Sequence, residues 1–335
     1  MKEKDKLFFL CYLNRSGSTY LAKLLNEYKE IGVTIESSFP DGILRKELII
    51  NKEKEISKKI KKLYNIKFNY WGISKYEIKE VILNKNKYPI YFREFFIDIL
   101  SLYFNKNKPD AKIFVYKTSW DYLINYEKVL NYYPNSKFIF IIRDGRAIYN
   151  SQKKSLGSNT LKPMSDNPVR TALMFNKIAK KIRDLKDKKW LYIIKYENLI
   201  LNKEEEIEKL LEFLEVKDKT KTNSDYYRNI PLSQKHLHYN LNKPPQKDRI
   251  NGWKNELKKE EIYMFQKVSG KYLSGLGYNL EDIHYNFFKQ KLIEFKFLFQ
   301  YLLYRTKDKF IALTKPNYLF NRIWYKIKKN INNES

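Results

Sequence analysis

A chain of 335 residues that is 43% hydrophobic and 16% aromatic can bury one large core or two modest ones, which excludes a disordered polypeptide. Its 66 Lys and Arg outnumber 38 Asp and Glu, and the net charge of +28 favours an anionic partner such as a nucleotide, a nucleic acid, an acidic glycan or an anionic membrane surface. Lysines run along the whole chain, so a compositional bias towards Lys, Asn, Ile and Tyr explains the same excess without any partner.

The first element is Leu7 to Leu13, LFFLCYL, an apolar run suited to a strand buried on both faces. Asn14-Arg15-Ser16-Gly17-Ser18-Thr19 follows, and then Tyr20, Leu21, Leu24, Leu25 and Tyr28 fall at helical spacing. A strand entering a helix through a small, hydroxyl-rich loop leaves backbone N–H groups free at the helix start, where they and the helix dipole favour an oxyanion. Arg15 adds a forked cation, and Ser16, Ser18 and Thr19 add hydroxyl donors. The loop is not a Walker A sequence: it has one glycine and no lysine. An ordinary strand–helix turn with Ser18 or Thr19 as its cap accounts for the same residues.

Val33 to Ile35 reads as a short strand that ends at Glu36, ahead of a turn at Pro40-Asp41-Gly42. Residues 45–108 read as charged and helical, with helices expected over Lys46–Tyr64, Lys75–Leu83 and Arg93–Phe104, and as an insertion capping the sheet. Lys112 to Tyr116 is the next strand, ending in Lys117, and a helix is expected from Tyr122 to Tyr133. The run Lys137–Ile142, KFIFII, ends in Arg143-Asp144-Gly145-Arg146, where Gly145 permits a tight or positive-φ turn; Ser151 lies two turns into the helix that follows. Trp190–Lys195, WLYIIK, ends at Tyr196. Strands alternating with helices predict a parallel sheet between helical layers, with ligands at the carboxyl ends of the strands. Arg15, Lys117, Arg143 and Tyr196 each follow such an end, and an Arg and a Ser placed like Arg143 and Ser151 suit a second phosphate.

Cys11 has no partner for an internal disulfide, and His236, His238 and His284 form no metal-ligand pattern beyond a weak H-x-H, so no metal is expected. The start of the sequence lacks the long apolar stretch and small-residue cleavage site of a signal peptide, and no uncharged apolar run reaches the length of a membrane span. A cytoplasmic location is the expectation.

The two basic turns, in this order and spacing, resemble those of the sulfotransferase family, whose donor is 3′-phosphoadenosine-5′-phosphosulfate (PAPS). Arg15-Ser16-Gly17-Ser18-Thr19 looks like the family's 5′-phosphosulfate loop, and Phe138–Gln152 looks like its 3′-phosphate motif, with Arg143 and Ser151 as ligands. Tyr196–Leu214 is similar to the segment after the fourth strand. Lys243–Leu257, carrying Arg249, Trp253 and Lys254, and then Leu273–Tyr278 resemble the nucleotide-covering loop and closing helix. The likeness covers about residues 5–280 and implies a three-layer α/β, P-loop NTPase-like fold, with a sulfotransferase domain over 1–284 and a basic, aromatic helical tail over 285–335.

The bacterial carbohydrate and tyrosylprotein branches are the nearer ones. By that resemblance Glu36 is the base that takes the acceptor proton, and Lys117 contacts the transferring group. The family's Ser-Thr pair upstream of a Lys-Pro is Leu237-His238 here, so either His238 takes that role or it is absent. The cation before the family's tryptophan is Gly252, with Arg249 or Lys254 as replacements.

The resemblance implies sulfuryl transfer from PAPS to an acceptor hydroxyl, first on a glycan or glycolipid and second on a tyrosine, with no nucleic acid involved. A P-loop-like kinase, or a non-catalytic membrane- or nucleic-acid-binding protein, are the alternatives. In the tail, Phe287, Phe288, Phe295, Phe297, Phe299, Trp324 and Tyr325 are interleaved with lysines. That composition suits either a helix packed on the domain or an interfacial helix on an anionic membrane, which would make the protein peripheral there.

Overall fold

The computed structural model describes residues 6–36, 44, 48–63, 70–156, 162–223, 226, 228–230, 235 and 247–314. Its centre is β1 (Lys6–Tyr12), hydrogen-bonded in parallel to β5 (Ile113–Ser119) on one side and to β6 (Lys137–Ile142) on the other. Beyond β5 lies β2 (Ile31–Val33), and beyond β6 lies β7 (Leu191–Lys195), giving the order β2-β5-β1-β6-β7 with every pairing parallel.

The apolar runs explain the layering. Both sides of a parallel strand face helices, so β1 carries no polar alternation: Phe8, Phe9, Leu10 and Cys11 are all buried. Phe9 stacks on Tyr122 and Phe138 on one face, while Phe8 meets Phe213 edge-on across the other. Each such ring contributes roughly 2–3 kcal/mol by leaving water. In chain order the helices are α1 (Ser18–Asn26), α2 (Ile56–Leu63), α3 (Lys75–Leu83), α4 (Phe92–Asn107), α5 (Asp121–Ile124), α6 (Tyr126–Tyr132), α7 (Gly145–Lys154), α8 (Pro168–Leu185), α9 (Tyr196–Leu201) and α10 (Lys203–Phe213). After them come α11 (Asp248–Asn251), α12 (Trp253–Glu256), α13 (Lys259–Gly275) and α14 (Phe287–Thr314). Because the chain leaves β1 towards β2 on one side and later adds β6 and β7 on the other, a crevice opens at the carboxyl end of β1.

Several local expectations are corrected. Ile49–Ile50, expected inside a helix from Lys46, instead forms β3 and pairs antiparallel with β4 (Ile90–Tyr91); tertiary pairing of β-branched residues overrides local propensity, and the helix starts only at Ile56. The helix expected over Tyr122–Tyr133 is broken at Asn125, whose side-chain amide donates to the Asp121 carbonyl and competes with the helical ladder. The strand expected to stop at Tyr116 continues to Ser119, so Lys117 lies within β5. Gly145 does not have a positive φ; a Cβ there would meet the Phe265 ring at 2.7 Å, so close packing is what requires glycine.

Trp71 and Tyr103 brace the sheet edge. Trp71 Nε1 donates to the Ile35 carbonyl at 3.3 Å, and the Ile35 amide donates to the Tyr103 hydroxyl at 3.3 Å. Both rings also pack together, so the insertion holds the backbone immediately before Glu36.

Candidate active site

The loop after β1 is wound for an anion. Arg15 has φ 76 and Gly17, the N-cap of α1, has φ 94, both left-handed. No side chain caps α1, and the amides of Gly17, Ser18 and Thr19 donate to no described acceptor. Ser16 Oγ is buried and has no hydrogen-bond partner among the described residues. Tyr196 closes one wall, its ring so near that a Cβ on Gly17 would stand 2.3 Å from Cδ2.

The second basic turn meets the first. Arg143 Nη1 donates to the Arg15 carbonyl at 3.2 Å and Nη2 to the Arg249 carbonyl at 2.7 Å, while its guanidinium lies 4.4 Å over the Tyr196 ring. Among the described residues no carboxylate lies within ion-pair distance of Arg143, and its Nε has no partner. Burial therefore pushes its pKa down from the ordinary value. A desolvated guanidinium held by carbonyl dipoles retains most of its charge for an incoming anion. Ser151, expected beside Arg143, accepts instead from Arg15 Nε at 3.0 Å. Gln152 fixes the same loop by donating to the Asn14 carbonyl at 3.2 Å.

A third cluster joins this loop from β5. Lys117 is buried and its Nζ donates to Thr19 Oγ1 at 2.9 Å, so the loop that lacks a lysine of its own receives one from the neighbouring strand. Lys117 also lies 5.3 Å over the Tyr12 ring. The Tyr12 hydroxyl lies beside the Glu36 carboxylate, and burial together with that negative charge pushes the Tyr12 pKa well up. Glu36 thus sits at the same strand edge as Lys117 and Thr19, connected to them through Tyr12. Beside it, the Tyr226 hydroxyl donates to the Thr34 carbonyl at 2.9 Å.

The closing segment is brought partly to the site. Arg249 offers its carbonyl to Arg143 and an exposed guanidinium nearby. Trp253 is buried, with the Arg146 guanidinium 3.9 Å over its ring and its Nε1 unpartnered among the described residues. Arg146 is structural: it pairs with Asp144 at 2.7 Å and donates to Gln266 and the Asn279 carbonyl. Lys254, expected as a replacement cation, is paired with Glu281 at 2.7 Å instead. His238 lies outside the described residues.

Two participants carried no local signal. Tyr12 reads as one more aromatic in an apolar strand. Glu197 reads as a helix-face acid, yet it accepts from the Asp144 amide at 2.9 Å and the Tyr278 hydroxyl at 3.1 Å, and burial pushes its carboxyl pKa up despite the nearby Arg143 charge. Among the described residues no group of His, Cys, Asp and Glu is arranged to hold a metal ion.

The profile of the sulfotransferase family matches residues 8–220. No curated protein matches the chain. Among solved structures, the sulfotransferase domain from the curacin biosynthetic pathway superposes with a TM-score of 0.53 at 15% identity, covering 84% of this chain and 100% of that one. The sulfotransferase domain of the Synechococcus PCC 7002 olefin synthase gives 0.48 at 14% identity, covering 84% and 98% of the two chains. Mouse sulfotransferase SULT7A1, complexed with PAP, gives 0.42 at 11% identity, covering 87% and 88%.

Proposed function

This chain belongs to the sulfotransferase family, and from that premise we propose that it moves a sulfuryl group from PAPS to a hydroxyl on a carbohydrate or glycolipid acceptor. The observation that carries the reading is the junction of the two basic turns, where Arg143 donates to the Arg15 carbonyl and Arg15 donates to Ser151. A nucleotide with phosphates at both its 3′ and 5′ positions matches two adjoining cationic pockets. Unpartnered Ser16 Oγ, Arg143 Nε and Trp253 Nε1 fit such a group, because buried polar atoms without partners are costly unless a ligand satisfies them. The donor supplies a sulfuryl group already activated on a phosphate leaving group.

In this reading Arg15 and the free amides of α1 hold the 5′-phosphate and stabilise the charge that grows on it. Arg143 and Ser151 hold the 3′-phosphate. Lys117, already at the loop through Thr19, balances charge on the bridging oxygen or on the sulfuryl group. Glu36 takes the acceptor proton as the acceptor oxygen bonds to sulfur and the sulfur–oxygen bond to the 5′-phosphate breaks, with 3′-phosphoadenosine-5′-phosphate (PAP) leaving. The net charge of +28 suits glycan acceptors that are themselves anionic.

Thermal shift with PAP against ATP–Mg²⁺ tests the donor: stabilisation by PAP alone is expected, and stabilisation by ATP–Mg²⁺ alone overturns it. Labelled PAPS offered to glycans, glycolipids and tyrosine peptides then tests the acceptor. Transfer confined to peptides overturns the carbohydrate assignment while leaving the donor intact.

A further inference from the structure

The last described helix, α14, is apolar on two opposite faces, and only one of them is covered. Ile293 and Phe297 are buried against Val169 and Met264, and the Asn167 amide donates to the Phe297 carbonyl at 3.0 Å. Tyr304 reaches Asp166 from the same side. At about 100° per residue, Phe288, Leu292, Phe295, Phe299, Leu302 and Leu303 cluster roughly opposite that seam. They stay open to solvent, with Phe288 83% and Phe295 67% exposed. By the same geometry Lys289 and Lys296 border one margin of this stripe, and Lys291 and Arg305 border the other.

We propose that this outer face of α14 lies on an anionic lipid surface, with the phenylalanines and leucines in the headgroup–acyl boundary and the flanking cations on lipid phosphates. Three observations favour that occupant. An apolar stripe with cations along both margins matches a planar interface, where lysine stems extend beside the stripe and their ammonium groups reach the headgroups. From residue 287 onward the sequence carries eleven Lys and Arg against three Asp and Glu. A second copy laid on the same face would bring like-charged margins together on two molecules of net charge +28 each. In the pairs made by Lys291 with Glu294 and Lys296 with Glu260 the lysines stay exposed, where such pairs are weak, so they do not neutralise the margins. Among the described residues no helix is long and apolar enough to cross a membrane, so α14 would lie along it.

Co-sedimentation of the full chain with vesicles of mixed phosphatidylglycerol and phosphatidylcholine, and with phosphatidylcholine alone, tests this. Pelleting with the mixed vesicles is expected, falling roughly 100-fold in Phe288→Asn/Phe295→Asn/Phe299→Asn, whose side chains make no core contact. Lys289→Glu/Lys291→Glu/Lys296→Glu should erase the preference for anionic vesicles, at roughly fivefold per lysine. No pelleting by the wild type, or equal pelleting by the variants, overturns the proposal. So does a vesicle-free dimer that the phenylalanine variant dissolves, which would give the face to a second copy. Both variants should bind PAP as the wild type does, so the outcome stands apart from that of the sulfuryl-transfer reading.

Discussion

Arg15 Nε donates to Ser151 Oγ at 3.0 Å across 136 positions of sequence. That bond joins the loop after β1 to the helix after β6, two segments that share no local sequence context. Residues in direct contact do not act independently, so the pockets to which Arg15 and Ser151 belong are energetically linked.

Arg143→Ala should weaken PAP binding by roughly 10- to 100-fold, the usual cost of losing hydrogen bonds from a buried cation to an anion. Arg143→Lys should recover little, because a point charge cannot serve the Arg15 and Arg249 carbonyls and a phosphate together. Calorimetry with PAP measures both variants, and an unchanged dissociation constant in the alanine variant removes Arg143 from the donor site.

Glu36→Gln should leave PAP affinity intact and lower turnover by roughly 10²- to 10⁴-fold, the span usual for loss of a general base. Steady-state assays with labelled donor decide it. Full turnover in the variant means that another group takes the acceptor proton.

The Tyr12 hydroxyl stands beside that carboxylate and its ring faces Lys117, so Tyr12→Phe separates the two neighbours. The ring remains under the ammonium while the hydroxyl beside Glu36 is lost. A fall in kcat of roughly 10-fold, with KM for the donor and PAP affinity unchanged, is expected where a hydroxyl that can donate to the base is removed. A purely structural tyrosine would instead lower stability and leave kcat in place.

How far the sequence leads depends on whether a contact is local. β1, β6 and β7 are visible as apolar runs because parallel strands buried on both faces need nothing else. Arg15 and Arg143 are visible because each follows such a run. Ile49–Ile50 is hidden, since its strand state depends on Ile90–Tyr91, some forty positions on. The Trp71 and Tyr103 bonds that fix Ile35 are hidden for the same reason. Tyr12 and Glu197 look like a core aromatic and a surface acid until folding supplies Glu36 to one and Asp144, Tyr278 and Arg143 to the other. The Lys254–Glu281 pair is hidden likewise, because its partner lies 27 positions on.

Gly17→Ala puts a Cβ 2.3 Å from the Tyr196 ring on a residue with φ 94. Steric overlap and left-handed strain together should cost about 2–5 kcal/mol. In a Tyr196→Ala background only the backbone strain remains, at about 1–3 kcal/mol. Urea melts of the four proteins in this cycle measure the coupling. Equal penalties in both backgrounds would mean that the ring does not bear on the loop.

Glu197 predicts a pH dependence with a definite sign. Burial raises its carboxyl pKa above the ordinary 4.5, so the folded chain holds this proton more tightly than the unfolded chain does. The associated stability is present below pH 4.5 and is lost as pH rises through the raised value, beyond which a constant penalty remains. Glu197→Gln removes that loss, so urea melts at stepped pH should show the wild type falling relative to the variant across this window. The same ionisation bears on the donor pocket, because a carboxylate near Arg143 repels an incoming phosphate. PAP should therefore bind more tightly to Glu197→Gln than to the wild type above the window, by roughly 10-fold for one partly buried like charge, and about equally below it. Ionisation of the ligand is common to both proteins and cancels in the comparison. Parallel affinity profiles for the two proteins at all pH values would show that the Glu197 charge does not reach the Arg143 pocket.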